Sequence, residues 1–188
     1  MNDIEDEFLK EIIPDKQRSK RKKTINSKKK GGRGEKECKD IFNARFKEKA
    51  IFSRTPGSGN YVGGMNAYKA KTLSEEQLQM MTSDLFCNNK NFKFSIEHKF
   101  YTKIDFYDLF NKSSDLFKWY EQSETDAKLL GKFPLLIVKT NQHKRIAFVK
   151  IEHAPRNIKP VFVHENRCCY WLEELLKLPD EYFFDWQV

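Results

Sequence analysis

The chain of 188 residues predicts a single α/β domain, a mixed central β-sheet flanked by helices, behind a polar N-terminal arm. Two observations carry that expectation. Helical and strand-like apolar patterns follow one another in the order helix, strands, helix, strands, helix. Each pattern stops at a glycine, a proline or a cluster of turn-forming residues.

The elements are taken in chain order. Residues 1–13 have a short amphipathic look, with Ile4, Phe8, Ile12 and Ile13, and end at Pro14. Residues 15–30 are polar and basic without periodicity, so residues 1–31 read as a disordered basic arm and 32–188 as the folded domain. Gly31-Gly32-Arg33-Gly34 marks the entry to it. A helix is expected from Glu35, since Cys38, Ile41, Phe42, Arg45 and Phe46 share a face at helical spacing. Glu35 lies on the inward edge of that face; it is either a charge that favours the helix dipole or a residue aimed into a site. Glu37 points away.

Ala50-Ile51-Phe52-Ser53-Arg54 reads as a strand, followed by a turn at Thr55-Pro56-Gly57-Ser58-Gly59. Leu73 to Met81 suits a short helix, Leu85-Phe86-Cys87 a short strand and Asn88 to Asn91 a hairpin turn. Asn91 to Lys99 then forms a strand in which side chains alternate. Phe92, Phe94, Ile96 and His98 take the apolar face, and Lys93, Ser95, Glu97 and Lys99 the other. Ser114 is the expected N-cap of a helix to about Leu130, with Leu116, Trp119, Tyr120, Ser123, Ala127 and Leu130 as its buried stripe and Gly131 as its stop. Phe133 to Lys139 and Arg145 to Ile151 are apolar strands around a turn at Asn141-Gln142. Residues 160–164 add a short strand, and Trp171 to Leu178 a helix that stops before Pro179.

With 39% hydrophobic and 33% charged residues and no apolar run near 20 residues long, a membrane-spanning segment is not expected. The acidic start is a poor secretory signal. Cys38, Cys87, Cys168 and Cys169 contain no CxxC pair, so neither a disulfide framework nor a zinc ribbon is expected; a reducing compartment follows. The net charge is +8, and residues 1–34 supply +5 of it. The run from Lys16 to Arg33 holds Lys20, Arg21, Lys22, Lys23, Lys28, Lys29 and Lys30 and contains no acid, a composition suited to polyphosphate through counterion release.

Glu97 beside Lys99 is the first chemical signal: a carboxylate can hold a hard cation and an ammonium can orient or deprotonate water. The pairing alone is common in a charged chain. Asp126-Ala127-Lys128 has the same form, but mid-helix its acid and base do not face each other, and it reads as surface charge. Asp84, at the start of the preceding strand, distinguishes Glu97 and Lys99, because a tight hairpin brings it to the same sheet end.

Four motifs in order resemble the PD-(D/E)xK nuclease superfamily, in particular the archaeal and phage-type Holliday-junction resolvases. They are Gly34-Glu35-Lys36-Glu37, Arg54-Thr55-Pro56-Gly57-Ser58-Gly59, Ser83-Asp84 and Ile96-Glu97-His98-Lys99. Trp119-Tyr120-Glu121-Gln122 and Pro134-Leu135-Leu136 add a softer match, and the whole spans about residues 32–151. Ser83 stands in place of the usual proline, and the gap from Gly59 to Asp84 is longer than in the archaeal enzymes. Asp105 and Asp108 follow the lysine and fit the motif order poorly.

The resemblance implies a restriction-endonuclease-like core. It also implies Mg2+ (with Mn2+ able to replace it) held by Asp84, Glu97, the His98 carbonyl and Glu35. Lys99 would position the attacking water or stabilise the pentavalent phosphate. DNA contacts would come from Arg54, Ser58, Gln122, Arg33 and the basic arm. The implied activity is endonucleolytic cleavage of branched DNA by a homodimer in the cytoplasm of a bacterium or a phage-infected host. The alternatives are a flap, repair or restriction-like nuclease of the same superfamily, or an inactive nucleic-acid-binding protein. His98 lies on the apolar face and reads as a packed side chain. Tyr61 and Tyr68 either stack on bases or pack a loop.

Overall fold

Phe133–Thr140 opens with six apolar residues in a row, and Leu135 to Val138 are all buried, as in a strand covered on both faces. In the computed structural model, which describes residues 27–55 and 71–185, it is the central strand β4. Before it come α1 (Ser27–Phe46), β1 (Phe52–Arg54), α2 (Glu75–Thr82), β2 (Leu85–Cys87), β3 (Phe94–Tyr101) and α3 (Asp115–Leu129). After it come β5 (Ile146–Lys150), β6 (Phe162–His164), β7 (Arg167–Trp171), α4 (Leu172–Leu175) and α5 (Asp180–Phe183). The strands form one sheet in the order β1-β2-β3-β4-β5-β7-β6. Only β3 and β4 pair in parallel, which requires a crossover, and α3 supplies it.

Alternation along the strands builds two cores. Leu135, Ile137, Ala147, Val149, Cys168 and Tyr170 face α1, with Cys38, Phe42 and Phe46 against them. Leu136, Val138, Phe148 and Cys169 face α3, with Leu116, Trp119 and Tyr120 against them. The first core ends in an aromatic cluster in which Phe42 meets Phe52 at 5.1 Å between ring centroids and Phe46 meets Phe183 at 5.1 Å. Gly131 adopts φ +62°, which lets the chain leave α3 and enter β4.

Three elements depart from the sequence expectation. The helix expected from Glu35 begins at Ser27 and runs through Gly31, Gly32 and Gly34. A Cβ at Gly34 would lie 2.6 Å from Cε1 of His98 and 2.9 Å from Cδ1 of Phe100, so this glycine permits close approach of α1 to β3 instead of breaking the helix. Second, Trp171 ends a strand, β7, and does not begin a helix. Cys168 and Cys169 are buried in opposite cores, so the segment shows no polar alternation. Third, α5 follows Pro179. All four cysteines are free and buried. Among the described residues no helix is long and apolar enough to cross a membrane.

Candidate active site

The site arises where β3 loses one neighbour. β4 pairs with β3 along its whole length to Tyr101, whereas the β2 register reaches only the Leu85–Ile96 pair. Beyond it the sheet forks, and Asp84 stands at the fork. Its N–H donates to the Ile96 carbonyl at 3.1 Å, and its Oδ2 accepts from the His98 N–H at 2.8 Å. In an extended strand the N–H and C=O of one residue point to the same edge, so the His98 carbonyl also lies on the edge that Asp84 occupies.

Glu97 and Lys99 lie on the β3 face that α3 covers. Glu97 is only 2% exposed. Lys99 Nζ donates to Glu97 Oε1 at 2.5 Å and to Gln122 Oε1 of α3 at 3.0 Å. Glu35, Asp84, Glu97, His98, Lys99, Gln122 and Lys30 all line a cleft of about 530 Å³. Glu35 is well past the first turn of the observed helix, so the dipole reading does not apply; its Oε2 accepts from Arg54 Nη2 at 2.5 Å and Nε at 2.9 Å. Lys30 Nζ lies 4.5 Å from the centroid of Phe100 at the cleft wall. Arg33 stands 5.7 Å from the same ring and pairs with Glu37 at 3.6 Å. Glu37 does not point away into solvent alone: it also accepts from Arg145 at 2.6 Å.

The electrostatics are unbalanced. Burial, and then the charge of Asp84, push the Glu97 carboxyl well above its usual range, against the pull of Lys99. Burial opposes the charge on Lys99, but Glu97 and Asp84 outweigh it and hold the ammonium above its ordinary value. Asp126 belongs to the same group. It is 3% exposed, and burial followed by the Asp84 charge raises its carboxyl to about 6. This corrects the surface-charge reading of Asp126: only its partner in that triplet, Lys128, is exposed. The missed signal is spacing, since Asp126 lies four residues after Gln122 and seven after Trp119, on the stripe that faces the sheet. Leu130, expected on that stripe, is only half-buried.

His98 is buried with neither ring nitrogen hydrogen-bonded among the described residues. Burial, then Arg145 and Lys99, lower it to about 3, so the ring is a neutral wall under α1. Asp105 and Asp108 are apart from the cleft and close a short 3-10 turn, with Asp105 N–H donating to Asp108 Oδ2 at 2.9 Å. Ser83 Oγ lies 2.7 Å from Ser95 Oγ, so the residue in the proline position ties the fork to β3. Lys28 and Lys29 fall within α1. Ser58, Tyr61, Tyr68 and Lys20, Arg21, Lys22 and Lys23 lie outside the described residues.

A model of the family described as "Phage putative PDDEXK endonuclease" matches residues 26–168. The chain belongs to this family. The match contains the fork, the cleft and both flanking helices, and the seven-stranded mixed sheet agrees with a restriction-endonuclease-like fold. No curated protein and no solved structure matches the chain.

PD-(D/E)xK nucleases generally use divalent metals, and the residues here fit such an ion. Asp84 and Glu97 are hard oxygen donors on one cleft, and the His98 carbonyl shares their edge. Among the described residues Asp84, Glu97 and Asp126 crowd around Lys99, in a buried setting that further positive charge would relieve. Among the described residues no group of three or more His, Cys, Asp or Glu side chains is placed to hold a metal.

Proposed function

We infer that the chain is a Mg2+-dependent endodeoxyribonuclease that cuts branched DNA, with the four-way junction as its preferred substrate. The observation that carries the reading is the fork, where Asp84, Glu97 and Lys99 meet on one cleft. A divalent ion at Asp84 and Glu97, with the His98 carbonyl as a further ligand, would supply charge neutralisation and an acidified water. Lys99, held by Glu97 and Gln122, would orient that water or receive charge on the phosphate. Glu35 would act through water, released from or shared with Arg54. Arg54, Ser58, Arg33, Lys30 and the basic arm would hold the phosphate backbone without reading bases.

The junction preference is supported by the order of the motifs and by the basic composition of residues 16–33, of which Lys30 lines the cleft. A four-way junction is two-fold symmetric, and its resolution calls for two symmetric sites, hence a homodimer. The test is cleavage of a synthetic four-way junction against linear duplex of the same sequence in Mg2+. Faster junction cutting, abolished in Glu97→Gln, is the expected result. Equal cutting of duplex would point to a flap, repair or restriction-like enzyme. Salt-sensitive DNA binding with no metal uptake and no cutting would leave a binding protein.

A further inference from the structure

The exposed aromatic side chains among the described residues stand on two segments. Tyr101, Tyr107 and Phe110 lie where the chain leaves β3, and Trp171 ends β7. Tyr107 is 76% exposed and Phe110 69%. The two segments meet around a hollow of about 420 Å³, lined by Lys103 and Leu109 from the first and Trp171 from the second. Its volume falls within the range of about 300–1,000 Å³ for small-molecule sites. Leu116 and Phe148 of the second core form its floor. His143 and Lys144 join Lys103 in the lining, and the Lys144 ammonium stands 6.0 Å from the centre of the Trp171 ring. Of the acids on the first segment, Asp105 is paired with Lys103 at 3.3 Å and Asp108 accepts an N–H inside the 3-10 turn. The hollow adjoins the cleft. The cleft wall follows β3 to Thr102 and the hollow begins at Lys103, so four residues, at most about 14 Å of chain, separate it from Lys99. Along α3, Trp119 stands between Leu116 of the hollow and Gln122 of the cleft, and it packs on Tyr101 at 4.3 Å between ring centroids.

We propose that this hollow is a base pocket: an unstacked base of the DNA strand that leaves the cleft enters it beside Trp171, and Lys103 and Lys144 hold the flanking phosphates. The lining suits a nucleotide. A flat base with a π-face takes an apolar floor and an indole wall, and the phosphates on either side of it take ammonium groups at the rim. Tyr107 and Phe110, on the turn that carries Leu109, offer exposed rings to the next bases along the strand. A protein partner is a poorer fit, since the centres of protein interfaces are depleted in lysine. The inference rests on the DNA reading and deepens it: the feature of branched DNA taken here is a base freed from its stack near the branch.

The experiment titrates the full chain, without divalent ion so that nothing is cut, with a short thymidine oligomer and with an abasic oligomer of the same length. The second keeps the phosphates and lacks the bases. The wild type should bind the thymidine oligomer about 10-fold more tightly, the scale of one stacked base. The indole N–H signal of Trp171, assigned with Trp171→Leu, should shift with the thymidine oligomer and stay in place with the abasic one. Tyr107→Ala, at an exposed position, and Trp171→Leu should each weaken thymidine binding about 5-fold and leave abasic binding within twofold. Lys103→Ala and Lys144→Ala should weaken both oligomers alike and lower the salt dependence by about 0.7 each. Equal affinity of the wild type for the two oligomers would overturn the proposal, as would an unmoved Trp171 signal. Loss of self-association in Tyr107→Ala and Trp171→Leu with base discrimination intact would assign the face to a second copy instead. Should junction and linear duplex be cut alike while the base discrimination holds, the pocket stands and the junction reading fails; a junction preference with equal oligomer binding would sink the pocket alone.

Discussion

Two clusters of charge in this molecule, one at the surface and one buried, are built on opposite principles. Near the C-terminus, Asp180 meets two cations: Arg45 Nη2 at 2.7 Å, and Lys49. Arg45 also donates to the carbonyls of Leu176 and Leu178, so one acid and two bases pin α1 to the C-terminal turns. At the fork the ratio is reversed, with Asp84, Glu97 and Asp126 crowding Lys99. The first cluster is neutralised by its own side chains and holds the fold together. Among the described residues the second sets three acids around one base, a balance that is unfavourable for stability and suits a site that receives a cation.

The comparison breaks most readily at Glu97. Glu97→Gln should cut cleavage by about 10³-fold, the scale of several kcal/mol of lost transition-state stabilisation, while leaving or raising the unfolding midpoint. A variant that unfolds instead would make Glu97 a structural acid like Asp180. Mg2+ should stabilise the wild type by about 2.7 kcal/mol at a hundred times its Kd, seen as a higher unfolding midpoint. The gain should vanish in Asp84→Asn/Glu97→Gln and persist in Asp180→Asn. Asp180→Ala should cost about 1.5–3 kcal/mol in urea titration, the range for hydrogen bonds to a charged group, and cleavage by the remaining folded protein should be normal.

The subtlest contrast is one of sign, read from stability against pH without metal. Lys49 and then Arg45 hold the Asp180 carboxyl below its usual value. Its contribution is therefore present above the unfolded value and lost as pH falls through the folded one. Asp126, raised from 3.8 to about 6, does the reverse: its contribution is present below 3.8 and lost as pH rises through about 6. Asp126→Asn should flatten the decline between about pH 4 and 6, and Asp180→Asn the acid limb. A wild type whose stability is level across the upper window would remove the imbalance argued for the fork.

Much of this was legible in the chain. The alternation from Phe92 to Lys99 separates the apolar face from Glu97 and Lys99, and the motif order brings in Asp84 and Gln122, all of which line or frame the fork. What stayed hidden had physical reasons. Asp126 stands two residues before Lys128 and imitates the acid-x-lysine triplet, whereas a helix puts it on the face of Gln122. β7 buries both faces, so its Arg167–Trp171 segment lacks the polar half of a strand pattern. The glycines before Glu35 suggest an interruption, yet a helix tolerates them where a neighbour presses close.

That press at Gly34 has a consequence for how the protein tolerates change. The strand carrying the acid and the lysine is gripped between a helix on each face, and at Gly34 the clearance on one side is smaller than a methyl group. A single alanine there would act as a wedge. It would push the imidazole and the phenyl ring on either side of Lys99, and so detune the chemistry from a residue that carries no functional group at all.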